Sequence, residues 1–164
     1  MRTGNPGHLK TFDYVGLHRY FLTFCTDHRK KRFEDARPVD VVREQILRAA
    51  NDESFAVIAY CFMPDHVHLL VEASSDASDC LRFIKRAKQF SGFHYQKQFG
   101  ERLWQRYGYE RTLRSEDTTL VVAKYIVANP VRAGLVENPE DYPFSGSERH
   151  SMAEILEAIG EVRL

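Results

Sequence analysis

The stretch MPDHVHLLVE, residues 63–72, sets two imidazoles one residue apart. Side chains alternate along a strand, so His66, His68, Leu70 and Glu72 share one face and Val67, Leu69 and Val71 the other. Two imidazoles side by side can offer nitrogen lone pairs to one metal ion. The same spacing also suits two ordinary histidines, hydrogen-bonded on a partly polar sheet face. A second pairing lies in KYIVANP, residues 124–130. There Tyr125 and Asn129 stand at i and i+4 on one side of a helix. Leu120, Ala123 and Val127 make the expected buried stripe, with Tyr125 and Asn129 at its flank, where a polar group could reach a cleft. A boundary aromatic and a C-terminal cap would give the same pattern.

Charge supplies a third feature. The chain has 164 residues, with 23 basic and 23 acidic side chains and no net charge. Bulk charge therefore announces neither a nucleic acid nor a membrane. The distribution is uneven. Residues 82–114 carry nine basic side chains against two acidic ones, and from Gly134 onward seven acidic side chains face two arginines. Such asymmetry suits a local anionic ligand, and it also suits solvated helix faces.

These groups need elements to position them. RYFLTFCT (19–26) reads as a strand, residues 38–51 as an amphipathic helix, SFAVIAYCF (54–62) as a second strand, and 66–72 as a third, antiparallel to the second. SSDASD offers N-caps for a long helix whose apolar side is Cys80, Phe83, Ile84, Ala87, Phe90 and His94. LWQRYGYERTLR (103–114) reads as a strand with aromatic and basic residues interleaved. Ser115 is placed to cap a further helix, with Glu116 and Asp117 in its first turn, ending near Asn129-Pro130. A short helix is expected over 151–159. This order predicts an α+β fold with a ferredoxin-like antiparallel sheet and helices mainly on one face. Residues 1–17 read as an arm, 18–147 as the domain and 148–164 as a tail.

The length fits one domain with a real core, being 43% hydrophobic. Three widely spaced cysteines without a CxxC pair argue for a reducing compartment. Without a signal peptide or a long apolar run, a cytoplasmic protein with no membrane contact is expected.

Taken together, MPDHVHLLVE, the basic helix, LWQRYGYERTLR and YIVANPVRAGLVENPEDYPFS resemble the REP-associated tyrosine transposases. These are bacterial relatives of the insertion-sequence single-tyrosine transposases, within the His-hydrophobic-His (HUH) endonucleases. The resemblance spans residues 15–147. The His-x-His pair alone is unspecific, but these motifs in this order are highly specific together.

The resemblance implies a mechanism. His66 and His68 would bind a divalent cation, Mg²⁺ or Mn²⁺, and Tyr125 would be the nucleophile. The insertion-sequence relatives carry a glutamine four residues after the tyrosine as a further metal ligand; here Asn129, one methylene shorter, holds that position. The reaction implied is cleavage and rejoining of single-stranded DNA at hairpin-forming palindromes through a 5′-phosphotyrosine. Lys85, Lys88, Arg102, Arg106, Arg111 and Arg114 would then neutralise DNA phosphates, and Trp104, Tyr107 and Tyr109 could stack on bases, with a core position equally open to Trp104. Monomer and homodimer both occur among such proteins. A catalytically silent module that binds DNA or RNA hairpins is the competing reading.

Overall fold

The computed structural model describes residues 13–107, 109–113 and 118–162. Its framework is a five-stranded antiparallel sheet of β1 (Arg19–Cys25), β2 (Phe55–Met63), β3 (His66–Ala73), β4 (Tyr109–Thr112) and β5 (Ser145–Gly146), in the order β4-β1-β3-β2-β5. The fold class is the ferredoxin-like α+β one expected, and the structure supplies the strand order, which the sequence does not give. β3 lies in the middle of the sheet, hydrogen-bonded to β1 on one side and β2 on the other.

Alternation sorts the sheet into two cores. Tyr20, Leu22 and Phe24 of β1 and Val67, Leu69 and Val71 of β3 meet α1 (Ala36–Asp52) and α2 (Cys80–Phe99). The opposite face carries Phe21, Cys61, Met63 and Leu70, packed under α3 (Thr119–Val127) and α5 (Met152–Leu156). The two long helices therefore share one face, as expected. The second face is nevertheless roofed, by short helices, and the histidines of β3 lie on this second side.

A bulge in β2 helps set the site. Pairing with β3 slips between Val57 and Ala59, so Ile58 and Ala59 both face the second core. Beyond the slip, Cys61 stands opposite His68 and Met63 opposite His66. The extra residue thus puts small or soft apolar side chains beside the imidazoles.

Three expectations need correction. The strand expected over 103–114 is shortened to Tyr109–Thr112. Trp104 is only 5% exposed because it is drawn into the core, its indole N–H donating to Ser91 Oγ at 2.9 Å. The buried side of α2 is Cys80, Phe83, Ala87, Ser91 and Tyr95. Phe90 only flanks that core and His94 stays at its edge, because Ser91 is needed inside to satisfy the indole. α2 begins where SSDASD suggests, with Asp79 accepting from the Arg82 N–H at 3.2 Å, and ends at Gly100 in the left-handed region (φ 75°).

The third correction concerns α3, which starts at Thr119 after Thr118. Ser115, Glu116 and Asp117 lie outside the described residues. Its buried side is Val121, Val122, Ala123, Ile126 and Val127, so Leu120 stands at the margin rather than on the stripe. Past Ala128 the chain re-enters a helical turn, α4 (Asn129–Arg132), with Pro130 tolerated in its first turn. The DYPFS segment adds what the sequence did not suggest. Phe144 O accepts from Phe62 N–H at 2.8 Å, the buried Tyr142 hydroxyl donates to Phe62 O, and β5 pairs with β2. Among the described residues, no helix is long and apolar enough to cross a membrane.

Candidate active site

The site begins at the turn between β2 and β3. Pro64 and Asp65 link the strands, and Thr26 clamps the link: its N–H and its hydroxyl both donate to Asp65 O, at 2.9 and 3.0 Å. Asp65 is thereby held next to His66. Its Oδ1 lies 2.7 Å from His66 Nδ1, and its Oδ2 accepts from Arg29 Nε at 3.0 Å. Burial works against the carboxylate, but the hydrogen bonds from Arg29 and His66 outweigh it and hold the Asp65 pKa below its ordinary value. An ionised Asp65 accepts only, so His66 Nδ1 carries its proton and His66 Nε2 is left with a lone pair when the ring is neutral.

His68 is tied down from β1. Thr23 stands directly across from it, and Thr23 Oγ1 lies 2.9 Å from His68 Nδ1. The two Nε2 atoms, of His66 and His68, approach to 3.2 Å. Burial, together with the positive surroundings of His66, Arg132 and Arg29, pushes the His68 pKa down to about 3. At neutral pH His68 is therefore an uncharged imidazole. In this structure it can donate from Nε2 to His66 while Thr23 donates to its Nδ1. The threonine hydroxyl can also reverse and accept, which would turn both Nε2 lone pairs inward.

This arrangement fits a divalent cation. Two nitrogens 3.2 Å apart, each at a metal distance of ~2.1 Å, subtend ~100°, within reach of octahedral or tetrahedral coordination. Both Nδ1 atoms already have outer partners, a carboxylate and a hydroxyl, which is how metal-binding histidines are usually oriented. Asp65 stands behind His66 rather than beside it as a ligand. The Cys61 thiol, opposite His68, is pushed up to about 12 by burial and serves as an uncharged packing group. Among the described residues no three His, Cys, Asp or Glu side chains converge. Among the described residues a third protein ligand would therefore come from a different donor type, such as an amide. Asn129 has such an amide, and its Nδ2 is buried without a hydrogen-bond partner. It opens α4, which packs against β2.

Tyr125 lies on the same side of the sheet. It is 39% exposed, and its ring meets Phe21 edge-on with centroids 6.2 Å apart. The Phe21 ring also meets His68, at 5.3 Å and nearly perpendicular. One phenylalanine thus lies between the helix tyrosine and His68. Arg132 closes the other side of Tyr125: its guanidinium carbon sits 4.0 Å from the ring centroid, and its Nη2 donates to Tyr125 O at 2.8 Å.

Of the residues expected to bind phosphates, Lys85, Lys88, Arg102 and Arg106 are described with their side chains. Lys85 is exposed on α2, on the far side of the sheet. Lys88 turns inward, donating to Gln105 O and Arg106 O at 3.0 and 3.3 Å, and burial lowers its pKa to about 8. Arg102 Nε donates to Trp104 O at 3.1 Å, and Arg106 lies over the Tyr107 ring at 5.2 Å. Arg111 pairs through its backbone with Phe21, and Arg114 lies outside the described residues. The cations whose charge reaches His68 are instead Arg29 and Arg132, neither of which sequence reasoning singled out. Arg132 had a readable signal, since it stands seven residues, two helical turns, after Tyr125. Arg29 had none.

Comparison with known proteins identifies the family. Residues 14–129 match the family described as "Transposase IS200 like". A REP-associated tyrosine transposase of Escherichia coli K12 is 31% identical over 139 residues, covering 83% of this chain and 80% of that one. A Haemophilus influenzae relative is 28% identical over 148 residues, covering 83% of each chain. A solved REP-associated tyrosine transposase bound to a REP hairpin superimposes with a TM-score of 0.69 at 21% identity, over 84% of this chain and 81% of that one. Fold, motif order and relatives agree: this chain belongs to the IS200-like transposase family, among its REP-associated tyrosine transposases.

Proposed function

We propose that this transposase cleaves and rejoins single-stranded DNA at hairpin-forming sites by transesterification, with Tyr125 as nucleophile beside a divalent-metal site built on His66 and His68. The observation that carries the reading is the pair of Nε2 atoms 3.2 Å apart, each ring fixed from behind, with Tyr125 one ring contact away through Phe21. Hairpin DNA is proposed as the substrate because a structurally similar transposase is solved with a REP hairpin bound.

In the reaction the Tyr125 oxygen bonds to a backbone phosphorus and the bond from phosphorus to the 3′-oxygen breaks. The phenolic proton is delivered, in net terms, to that leaving oxygen. The 5′-phosphate remains on the tyrosine until a 3′-hydroxyl of the same or another strand reverses the exchange, so no external energy source is consumed. His66 and His68 would hold the cation, with the Asn129 amide as a third ligand. When bound, the cation supplies charge to the oxygens of the scissile phosphate. Arg29, through Asp65, fixes the orientation of His66, and Thr23 fixes that of His68. The contacts of Phe21 with both Tyr125 and His68 of one chain support a site completed within that chain.

The test is incubation with a single-stranded hairpin oligonucleotide and Mn²⁺ or Mg²⁺, followed by denaturing electrophoresis. A detergent-resistant protein–DNA adduct is expected, lost on Tyr125→Phe and on His66→Ala with His68→Ala. Tight hairpin binding without any adduct would instead establish the silent binding module.

A further inference from the structure

Arg132, the last residue of α4, lies against the tyrosine that α3 carries. Its guanidinium covers one face of the Tyr125 ring at 4.0 Å, close enough for a cation–π contact, and one N–H is given to Tyr125 O. Its positive charge is also felt at His68 and at Cys61, on the sheet below. Among the described residues no carboxylate pairs with it, whereas Arg29, the other cation near the pair, is tied to Asp65. A guanidinium stacked by its face keeps its remaining N–H edge free, and that edge matches the oxygens of a phosphodiester. The residue is exposed, so an incoming strand could reach it.

We propose that Arg132 is the phosphate clamp of the nucleophile: it holds the Tyr125 ring by one face and binds a non-bridging oxygen of the phosphate that Tyr125 attacks. This rests on the reading of Tyr125 as nucleophile. Tyrosine and clamp sit two turns apart on one near-continuous helical stretch, so any shift of that stretch carries both toward the DNA together. Charge that builds on the phosphate during attack then meets a donor already in place, and the phosphotyrosine product keeps the same contact.

The experiment measures single-turnover adduct formation on a hairpin oligonucleotide with either an ordinary scissile phosphate or a methylphosphonate, which lacks one charged oxygen. Arg132→Ala should slow the ordinary substrate about 100-fold, the usual scale for losing one transition-state donor. Hairpin affinity without metal should stay within about threefold, since most phosphate contacts lie elsewhere. On the methylphosphonate the penalty of Arg132→Ala should shrink below about tenfold, because the oxygen it served is gone. Arg132→Lys, which keeps charge but loses the flat stack, should fall between. An Arg132→Ala rate equal to that of the unaltered chain removes the clamp. An equal penalty on both substrates also overturns it, by reducing Arg132 to a support for Tyr125. No adduct even from the unaltered chain would remove the nucleophile reading and the clamp with it, so the two failures are told apart.

Discussion

Thr23→Val tests the metal half of the site, because it removes one hydroxyl and keeps the branched shape the strand packs. Thr23 Oγ1 lies 2.9 Å from His68 Nδ1, a neutral contact in a partly buried place. Without a cation it steadies an uncharged ring, and its loss should cost about 1 kcal/mol of stability. With a cation on Nε2 the imidazole is polarised and Nδ1–H must donate to Thr23, a charge-assisted bond worth about twice as much. The difference, about 1 kcal/mol, corresponds to roughly five- to tenfold weaker metal binding, near the low end of the usual range for such outer partners. The assay pairs Mn²⁺ titration, followed by the magnetic-resonance signal of the free ion, with urea unfolding in chelator. Thr23→Ser should restore most of both losses. Unfolding weakened by ~1 kcal/mol with Mn²⁺ affinity unchanged would refute the argument that Thr23 sets the His68 proton. Failure of the unaltered chain to bind Mn²⁺ would refute the site itself.

The remaining predictions concern stability in metal-free protein. His68 titrates in the unfolded chain near 6.5 but in the folded chain only at about 3, so between those values the unfolded state holds the extra proton and stability falls as pH falls. Lowering pH from 6.5 to 5 should cost about 2 kcal/mol, read as a shift in urea midpoint that His68→Gln largely removes; an unchanged slope in that variant would assign the effect to other groups. Tyr142→Phe strips the buried hydroxyl from Phe62 O and should destabilise by about 1–3 kcal/mol in thermal or urea melts. Ser91→Ala leaves the Trp104 indole N–H unpaired inside the first core and should cost a similar ~1–3 kcal/mol, with a red-shifted tryptophan emission if water enters.

What the sequence revealed followed local periodicity. The alternation in VHLLV separates Val67, Leu69 and Val71 from His66 and His68 without further information, and the structure keeps that separation. Apolar runs also located α1, β2 and α2 to within a few residues. The failures arose where a partner distant in sequence decided the outcome. Ser91 is inside α2 because Trp104, thirteen residues away, needs an acceptor. The bonds from the Lys88 ammonium to two carbonyls of the segment that follows α2 were likewise invisible in its own helix's pattern. Thr23, Phe21 and Arg29 enter the site only through strand register and the clamp on Asp65. Periodicity reports which face a residue occupies, and it cannot report what that face meets.

The same distinction explains why the histidines can act as a site at all. An imidazole pair on an edge strand would sample many rotamers, and ordering it would fall to the ligand. Here β3 is central, and Val67, Leu69 and Val71 bury completely or nearly so against α1 and α2 on the reverse face. The backbone beneath His66 and His68 is thus fixed by packing that has no part in the chemistry. Partners on other elements then remove the remaining freedom: Asp65 from the turn, Thr23 from β1, Phe21 between His68 and Tyr125. With Arg29 balanced by Asp65, Arg132 leaves a positive charge near His68 although the chain as a whole carries no net charge. Such a place favours an anion and resists protonation of its own histidines. For a phosphodiester beside a metal-binding imidazole pair, both tendencies act in the same direction.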